Sequence, residues 1–353
     1  GTDSMEVVRS RVAAPNLRLQ YDFYHTQSYH QLEINNRPVL FVANFEKDFI
    51  AIPLIIRNIE GTPYFDCTSV YGYCGPISNI DFKNISNTHI DYFQEELLQF
   101  FKNNKIITAF SRLHPLFLNH VALKNFGQII DLNDTIVIDT SITEDDQKKK
   151  YRKSIKYEIN QLRKQEVIVY KAKTKEDINE FIRIYKSTMK KVAATEDYFY
   201  DEDYFNRFLS SSCFEKIILL AKHKEKIYSG AIFTISNGIM QYHLSGALDF
   251  EGKHSLTKLI VDEARILATK LKLKFLHLGG GFGGSDKDTL FHFKSGFSDI
   301  RSQFKNWNFV VDQDIYNQLN KKVNVLEKDS NFFPLYRFKK NTKPKVYIFG
   351  CSG

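Results

Sequence analysis

Cysteine is scarce: four residues in 353, at 67, 74, 213 and 351. Their spacing forms neither a CxxC pair nor a zinc pattern with the ten histidines, which excludes a disulfide scaffold and a zinc-built domain. No metal is expected, and a reducing cytoplasm is the expected location. No run of about 18 apolar residues occurs, so no spanning helix is predicted. The first residues lack the apolar stretch of a secretory signal. Self-similarity at a period of about 20 to 50 residues is also missing, which excludes a solenoid or propeller. Neither HExxH, a Ser-His-Asp signature nor a paired-carboxylate motif stands out.

What is abundant is aromatic: 30 Phe and 19 Tyr against a single Trp. With a hydrophobic share of 43%, these residues suit a bulky core, while tyrosines, with a rigid ring and a polar tip, also suit groove walls. The length predicts two domains of ordinary size. The formal charge is +8, and nearly all of it is local. From Lys148 to Lys164 there are eight cations (Lys148, Lys149, Lys150, Arg152, Lys153, Lys156, Arg163 and Lys164) against Glu158, which leaves the rest of the chain close to neutral.

Patterning along the chain alternates between strand and helix periods. Helical spacing covers 22–33, strands are predicted at 39–44 and 49–57, and a β-prone run covers 64–73. A helix at 90–101 and strands at 106–110 and 135–139 follow. The basic segment 144–164 reads as one helix, then a strand at 167–172 and a helix at 177–191. The aromatic cluster Tyr198, Phe199, Tyr200, Tyr204, Phe205 and Phe208 lies on and before a shorter helix. Three β runs (216–222, 227–236, 238–247) are joined by turns, one of them the hairpin signal Asn237–Gly238. A helix carrying Leu256, Leu259, Ile260, Ala264, Leu267 and Leu271 leads to strands at 274–278 and 303–311. This order predicts an α+β fold with mostly antiparallel sheets, unlike the regular alternation of a doubly wound parallel sheet. The expected division is 1–143, 144–320 and an extension 321–353, whose KPKVYIFGCSG ending reads as the first strand and turn of a further domain.

The most informative run is FLHLGGGFGGSDKDTLFHFKSGF at 275–297. A strand, a glycine turn and a helix start make a natural site for an anion or a polar ligand, because the first helical N–H groups lack partners. Gly279–Gly284 matches GxGxxG, but the acidic residue that a dinucleotide fingerprint needs about 20 positions later on a parallel strand is missing. Gly279, Gly280 and Gly281 are therefore candidates for a substrate or phosphate loop, with a plain structural turn as the alternative. Lys294 lies among Phe291, Phe293 and Phe297. There a desolvated cation would act strongly on an anion or a developing oxyanion, unless its stem simply covers the rings.

Three readings of the basic segment stay open: a solvated face, phosphate-rich ligands including RNA, and anionic membrane. Arg152, Lys156 and Arg163 are its candidate ligand-binding residues. Tyr71, Tyr73 and Gly75, in YGYCGPI, form either a groove wall or a packed turn. On a predicted central strand, Tyr242 and His243 point to opposite faces. His243 is either a general base or a satisfied core histidine.

The blocks YGYCGPI at 71–77, YRKSIKYEINQLRKQEV at 151–167, TMKKVAATEDYFYDEDYF at 188–205, MQYHLSGA at 240–247 and LHLGGGFGGSDKDTLFHFKSGFS at 276–298 resemble the Fem-type peptidyl- and aminoacyltransferases (FemABX-like proteins) of the GNAT acyltransferase superfamily. The resemblance spans roughly residues 20–315. It implies two tandem GNAT-like domains, each a mostly antiparallel twisted sheet flanked by helices. The implied reaction is transfer of an acyl or aminoacyl group to an amine of a cell-envelope sugar or peptide precursor. The implied donor is aminoacyl-tRNA or acyl-CoA, and the acceptor a UDP-linked precursor or a lipid-linked one reached by peripheral membrane association. Lys294, preceded by Phe293, matches a functionally important lysine of the family. Two departures are visible: no heptad arm interrupts the second domain, and the position of a CoA pyrophosphate loop, 251–256, holds one glycine, Gly252, beside Lys253. A non-catalytic module binding a sugar nucleotide or another anionic ligand is the alternative.

Overall fold

The computed structural model describes residues 2–3, 20–191, 200–281, 288–323 and 331–338. They form two compact units: one from 1–132 and 303–342, the other from 133–302. Strands β5 (Gln128–Asp139) and β11 (Ile300–Val310) each carry residues of both units. The division therefore falls inside a strand at 132/133, where sequence places it after the strand at 143/144. Residues 303–310 belong with the first unit because Asn306–Val310 pair antiparallel with β4 (Ile106–Arg112).

The first unit is built on β1 (Arg37–Phe45), β2 (Asp48–Asn58), β3 (Phe65–Thr68), β4 and β11 in that order. All of these pairs are antiparallel except β3 with β4. Residues 64–73 supply only this short β3, and the chain then turns through Gly72 and Gly75 at positive φ. The helical spacing over 22–33 resolves into a 3-10 turn Phe23–His25 and a short helix α1 (Gln27–His30), since Thr26 between them is extended. Helix α2 (Asn87–Asn103) starts where Ser86 accepts from the His89 N–H, and it buries Ile90, Phe93, Leu97 and Phe101 on the sheet. Trp307 closes this core and donates its indole N–H to the Phe126 carbonyl at 2.6 Å.

The second unit orders β5, β10 (Phe275–Gly279), β9 (Ile239–Ala247), β8 (Lys226–Ser236), β7 (Glu215–His223) and β6 (Ile168–Lys171). Only β9 and β10 run parallel. Asn237 and Gly238, both at positive φ, make the β8–β9 hairpin turn. One face is covered by α4 (Lys153–Lys164), α7 (Thr257–Lys270) and α8 (Thr289–Ser295), whose apolar residues join Ile136, Ile138, Met240, Tyr242, Leu276 and Leu278 in one core. Helix α5 (Lys175–Lys191) and α6 (Glu202–Ser210) lie on the other face, with Phe181 and Tyr185 against Phe205, and Phe208 against His243.

The basic segment is two helices, α3 (Glu144–Lys149) and α4. Tyr151 breaks it by turning into the core, where its hydroxyl donates to Asp262 Oδ1 at 2.8 Å. Arg152 is extended and gives its N–H to the Gly296 carbonyl at 2.7 Å, a bond that helical backbone would forbid. The α+β architecture, two units of mostly antiparallel sheet flanked by helices, is the one read from the sequence.

Candidate functional site

The site of the second unit is built at the end of β10. Leu276 and Leu278 point into the core, so His277 between them points to the opposite face. Its Nε2 lies 2.8 Å from Thr135 Oγ1 and its Nδ1 2.9 Å from the Gln241 carboxamide. The Thr135 hydroxyl donates to the Ser302 carbonyl at 2.7 Å, so it accepts from the Nε2–H of His277. This chain fastens β10 to β5 and β9 just before the glycines. Gly279, at φ 77°, then turns the chain out of the strand.

Asp288 caps α8 by accepting from the Phe291 N–H at 3.0 Å. Its carboxylate crowds Gly281, where an added Cβ would fall 2.3 Å from Oδ2. Lys294 stands in the last turn of α8, fully buried. Its Nζ–H donates to the Gly280 carbonyl at 2.6 Å and sits 5.6 Å from the centre of the Tyr242 ring. Tyr242 donates its own hydroxyl to Ser245 Oγ at 2.7 Å. Phe293 packs edge-on against Phe297 at 5.4 Å. The structure thus brings Lys294, Gly280 and Tyr242 together, with Phe293 adjacent in the chain. Gly283 and Gly284 lie in 282–287, outside the described residues.

Arg152 closes the other end of α8. Its guanidinium donates to the His292 carbonyl at 3.2 Å and to Ser295 Oγ at 2.8 Å, where a helix C-terminus favours a cation. Arg163 pairs with Asp262 and Glu263, each at 2.7 Å. Lys156 is exposed on the flank of α4. His243 lies on the face opposite Tyr242, stacked on Phe208 at 5.3 Å, and burial pulls its pKa down to about 3.

Tyr71, Tyr73 and Gly75 belong to the first unit. The Tyr71 carbonyl accepts from the Tyr29 hydroxyl at 2.7 Å. Tyr73 is buried against Tyr24, His114 and Phe304. Gly75 sits beside Asn119, whose side-chain amide donates to the Cys74 carbonyl at 2.8 Å. The same region holds a buried pair, His114 Nε2 with Asp22 Oδ2 at 2.8 Å.

Sequence reasoning missed the buried network of Tyr151, Asp262, Arg265 and Gln147. Arg265 contacts the Tyr151 hydroxyl at 2.7 Å, Asp262 at 3.1 Å and Gln147 Oε1 at 2.8 Å. The available signal was two opposite charges one turn apart inside the apolar stripe of α7. His277 was legible as well, as the polar residue between two core leucines. Among the described residues, no group of three or more His, Cys, Asp or Glu side chains is placed to hold a metal ion. No helix among them is long and apolar enough to cross a membrane.

No family model matches the chain, and no curated protein matches it. Solved structures do. FemX superposes with a TM-score of 0.69 at 11% identity, over 90% of this chain and 99% of that one. L-PGS from Bacillus licheniformis follows with a TM-score of 0.56 at 10% identity, over 86% of this chain and 90% of that one. The C-terminal domain (DUF2156) of a protein named as a lysylphosphatidylglycerol synthetase from Agrobacterium fabrum gives 0.53 at 12% identity, over 86% and 92%. At these identities the likeness is one of fold: the chain has the fold of FemX.

Proposed function

We propose that the chain is an acyltransferase moving an acyl or aminoacyl group from an activated ester or thioester, aminoacyl-tRNA or acyl-CoA, to an amine of a cell-envelope sugar or peptide precursor. The observation that carries this reading is Lys294, buried, with its Nζ held by the Gly280 carbonyl at the mouth of the glycine turn. In such a transfer the amine nitrogen attacks the carbonyl carbon and the carbonyl oxygen takes up negative charge. The C–O or C–S bond then breaks, and the leaving group accepts the proton lost by the nitrogen. A donor fixed in a desolvated site stabilises that oxyanion without reorganising. Lys294 is the residue assigned that task, and Phe293 and Tyr242 keep water from it. The FemX-like fold supports the same reading, and the likeness to the domain of a protein named as a lysylphosphatidylglycerol synthetase is compatible with a lipid-linked acceptor.

The test is a donor screen by mass spectrometry, offering charged tRNA and acyl-CoA pools with UDP-linked amino sugars and peptides. Lys294→Ala is expected to lower turnover by about 100-fold or more while the melting transition stays in place. Unchanged turnover removes Lys294 from the chemistry. If no pairing yields product while a sugar nucleotide still raises the melting temperature, the chain is a binding module.

A further inference from the structure

Where β1 begins, β2 ends and β3 begins, the first unit has a cleft of 350 Å³ lined by Asn35, Asn36, Arg37, Ile56, Asn58 and Phe65. The sheet ladder holds its walls: Arg37 lies opposite Ile56, and Asn58 opposite Phe65. No lining residue is acidic. The side chains of the three asparagines and of Arg37 make no hydrogen bond or ion pair among the described residues, and those of Asn35, Arg37 and Asn58 are exposed to solvent. Phe65 is half-buried and offers part of its ring.

Behind the cleft, cations outnumber anions. The buried Asp66 carboxylate is shared by Arg57 at 2.8 Å and Arg337 at 2.6 Å, and it also accepts from the Tyr336 hydroxyl at 2.7 Å. Arg337 reaches on to donate to the Asn58 carbonyl at 2.8 Å, which joins this cluster to the cleft wall. Arg37 lies opposite Ile56, and Ile56 opposite Cys67, so Arg37 stands two strands from the residue next to Asp66. Glu33, whose Oε1 accepts from the Asn35 N–H at 2.9 Å, is the second carboxylate at the cleft, so two carboxylates against three guanidinium groups leave an excess of one positive charge.

Each carboxamide both donates and accepts, as a sugar hydroxyl does, and a phenyl ring packs against the C–H face of a pyranose. A guanidinium grips a carboxylate or phosphate through two parallel bonds. The volume is at the lower end of ligand sites, which run from roughly 300 Å³ upward. We propose that this cleft binds a monosaccharide-sized polyol carrying one carboxylate or phosphate group. The proposal stands apart from acyl transfer and from Lys294.

The experiment uses the whole chain with four probes: glucuronate, glucose 6-phosphate, glucose and inorganic phosphate, followed by saturation-transfer NMR and calorimetry. At least one anionic sugar is expected to bind about tenfold or more tightly than glucose. Arg37→Gln should abolish that advantage, and Asn58→Ala should weaken binding several-fold, both at unchanged melting temperature. Preference for glucuronate assigns a carboxylate and preference for glucose 6-phosphate a phosphate. Lys294→Ala should bind the same sugar as the parent. Absence of binding at millimolar probe, affinity unaffected by Arg37→Gln, or inorganic phosphate binding as tightly as glucose 6-phosphate would each overturn the proposal.

Discussion

His243→Phe tests whether this histidine is a base or a piece of core. The ring is 1% exposed and stacked on Phe208, and desolvation lowers its pKa from 6.5 to about 3. The folded value lies below the unfolded one, so the unfolded chain takes the proton first as pH falls. Stability held by the neutral ring is therefore complete above about pH 6.5 and is lost as pH falls toward 3. Between about pH 7.5 and about pH 5 the folded ring stays neutral, so the loss follows the gap from 6.5 to 5, roughly 2 kcal/mol at 1.36 kcal/mol per pH unit. Phenylalanine keeps the stack and cannot titrate. Urea unfolding at the two pH values should show the variant losing roughly 2 kcal/mol less than the parent on acidification. His30, lowered to about 4 by burial, and His25, also lowered, remain in both proteins and cancel in the comparison. An identical pH dependence in the variant would mean that the ring titrates at the same pH folded and unfolded, and the base assignment would return.

Asp262→Asn removes the carboxylate shared by Arg265, Arg163 and Tyr151, leaving buried Arg265 with neutral partners and one half-exposed carboxylate, Glu144 at 3.7 Å. A loss of about 3 kcal/mol is expected in urea unfolding, and a loss under about 1 kcal/mol would deny the network a structural role. Gly281→Ala places a Cβ against the Asp288 carboxylate and disturbs the cap of the helix carrying Lys294. The expected cost is about 1 kcal/mol with a clear fall in turnover; full activity would separate the cap from the site. If tRNA is the donor, reversing Lys153, Lys156 and Lys164 to Glu should weaken its binding and flatten the salt dependence by about three phosphate contacts. An unchanged slope would put the RNA elsewhere.

Periodicity carried most of the fold. The strands of both hairpins and the helices Asn87–Asn103, Lys175–Lys191 and Thr257–Lys270 lie within a few residues of where alternation and helical spacing put them, because each buries one face on a sheet. Where a residue answers to a distant partner, local pattern fails. The break at 150–152 exists because Tyr151 seeks Asp262 and the Arg152 N–H seeks Gly296, partners more than a hundred residues away. The boundary at 132/133 is hidden for a related reason: the sequence reading begins this strand only at 135, whereas β5 runs from Gln128, and its pairing with β11 and β10 divides it between two units.

The site shows the same split between local and distant causes. Gly279–Gly281 and Lys294 could be picked out because strand, glycines and capped helix follow one another in the chain, and the contact of Lys294 with Gly280 spans only fourteen residues. The basic segment could not be sorted that way. Arg163 is neutralised by Asp262 and Glu263, Lys150 by Asp299, and Arg152 is spent on the end of α8. Lys153 and Lys164 remain on the outer stripe of α4 together with Tyr157, which is 60% exposed. A window of net +7 thus overstates the charge available to an anionic partner: about half of it holds the protein together. Any RNA or membrane surface this segment meets is met by that stripe, with Lys156 at its flank.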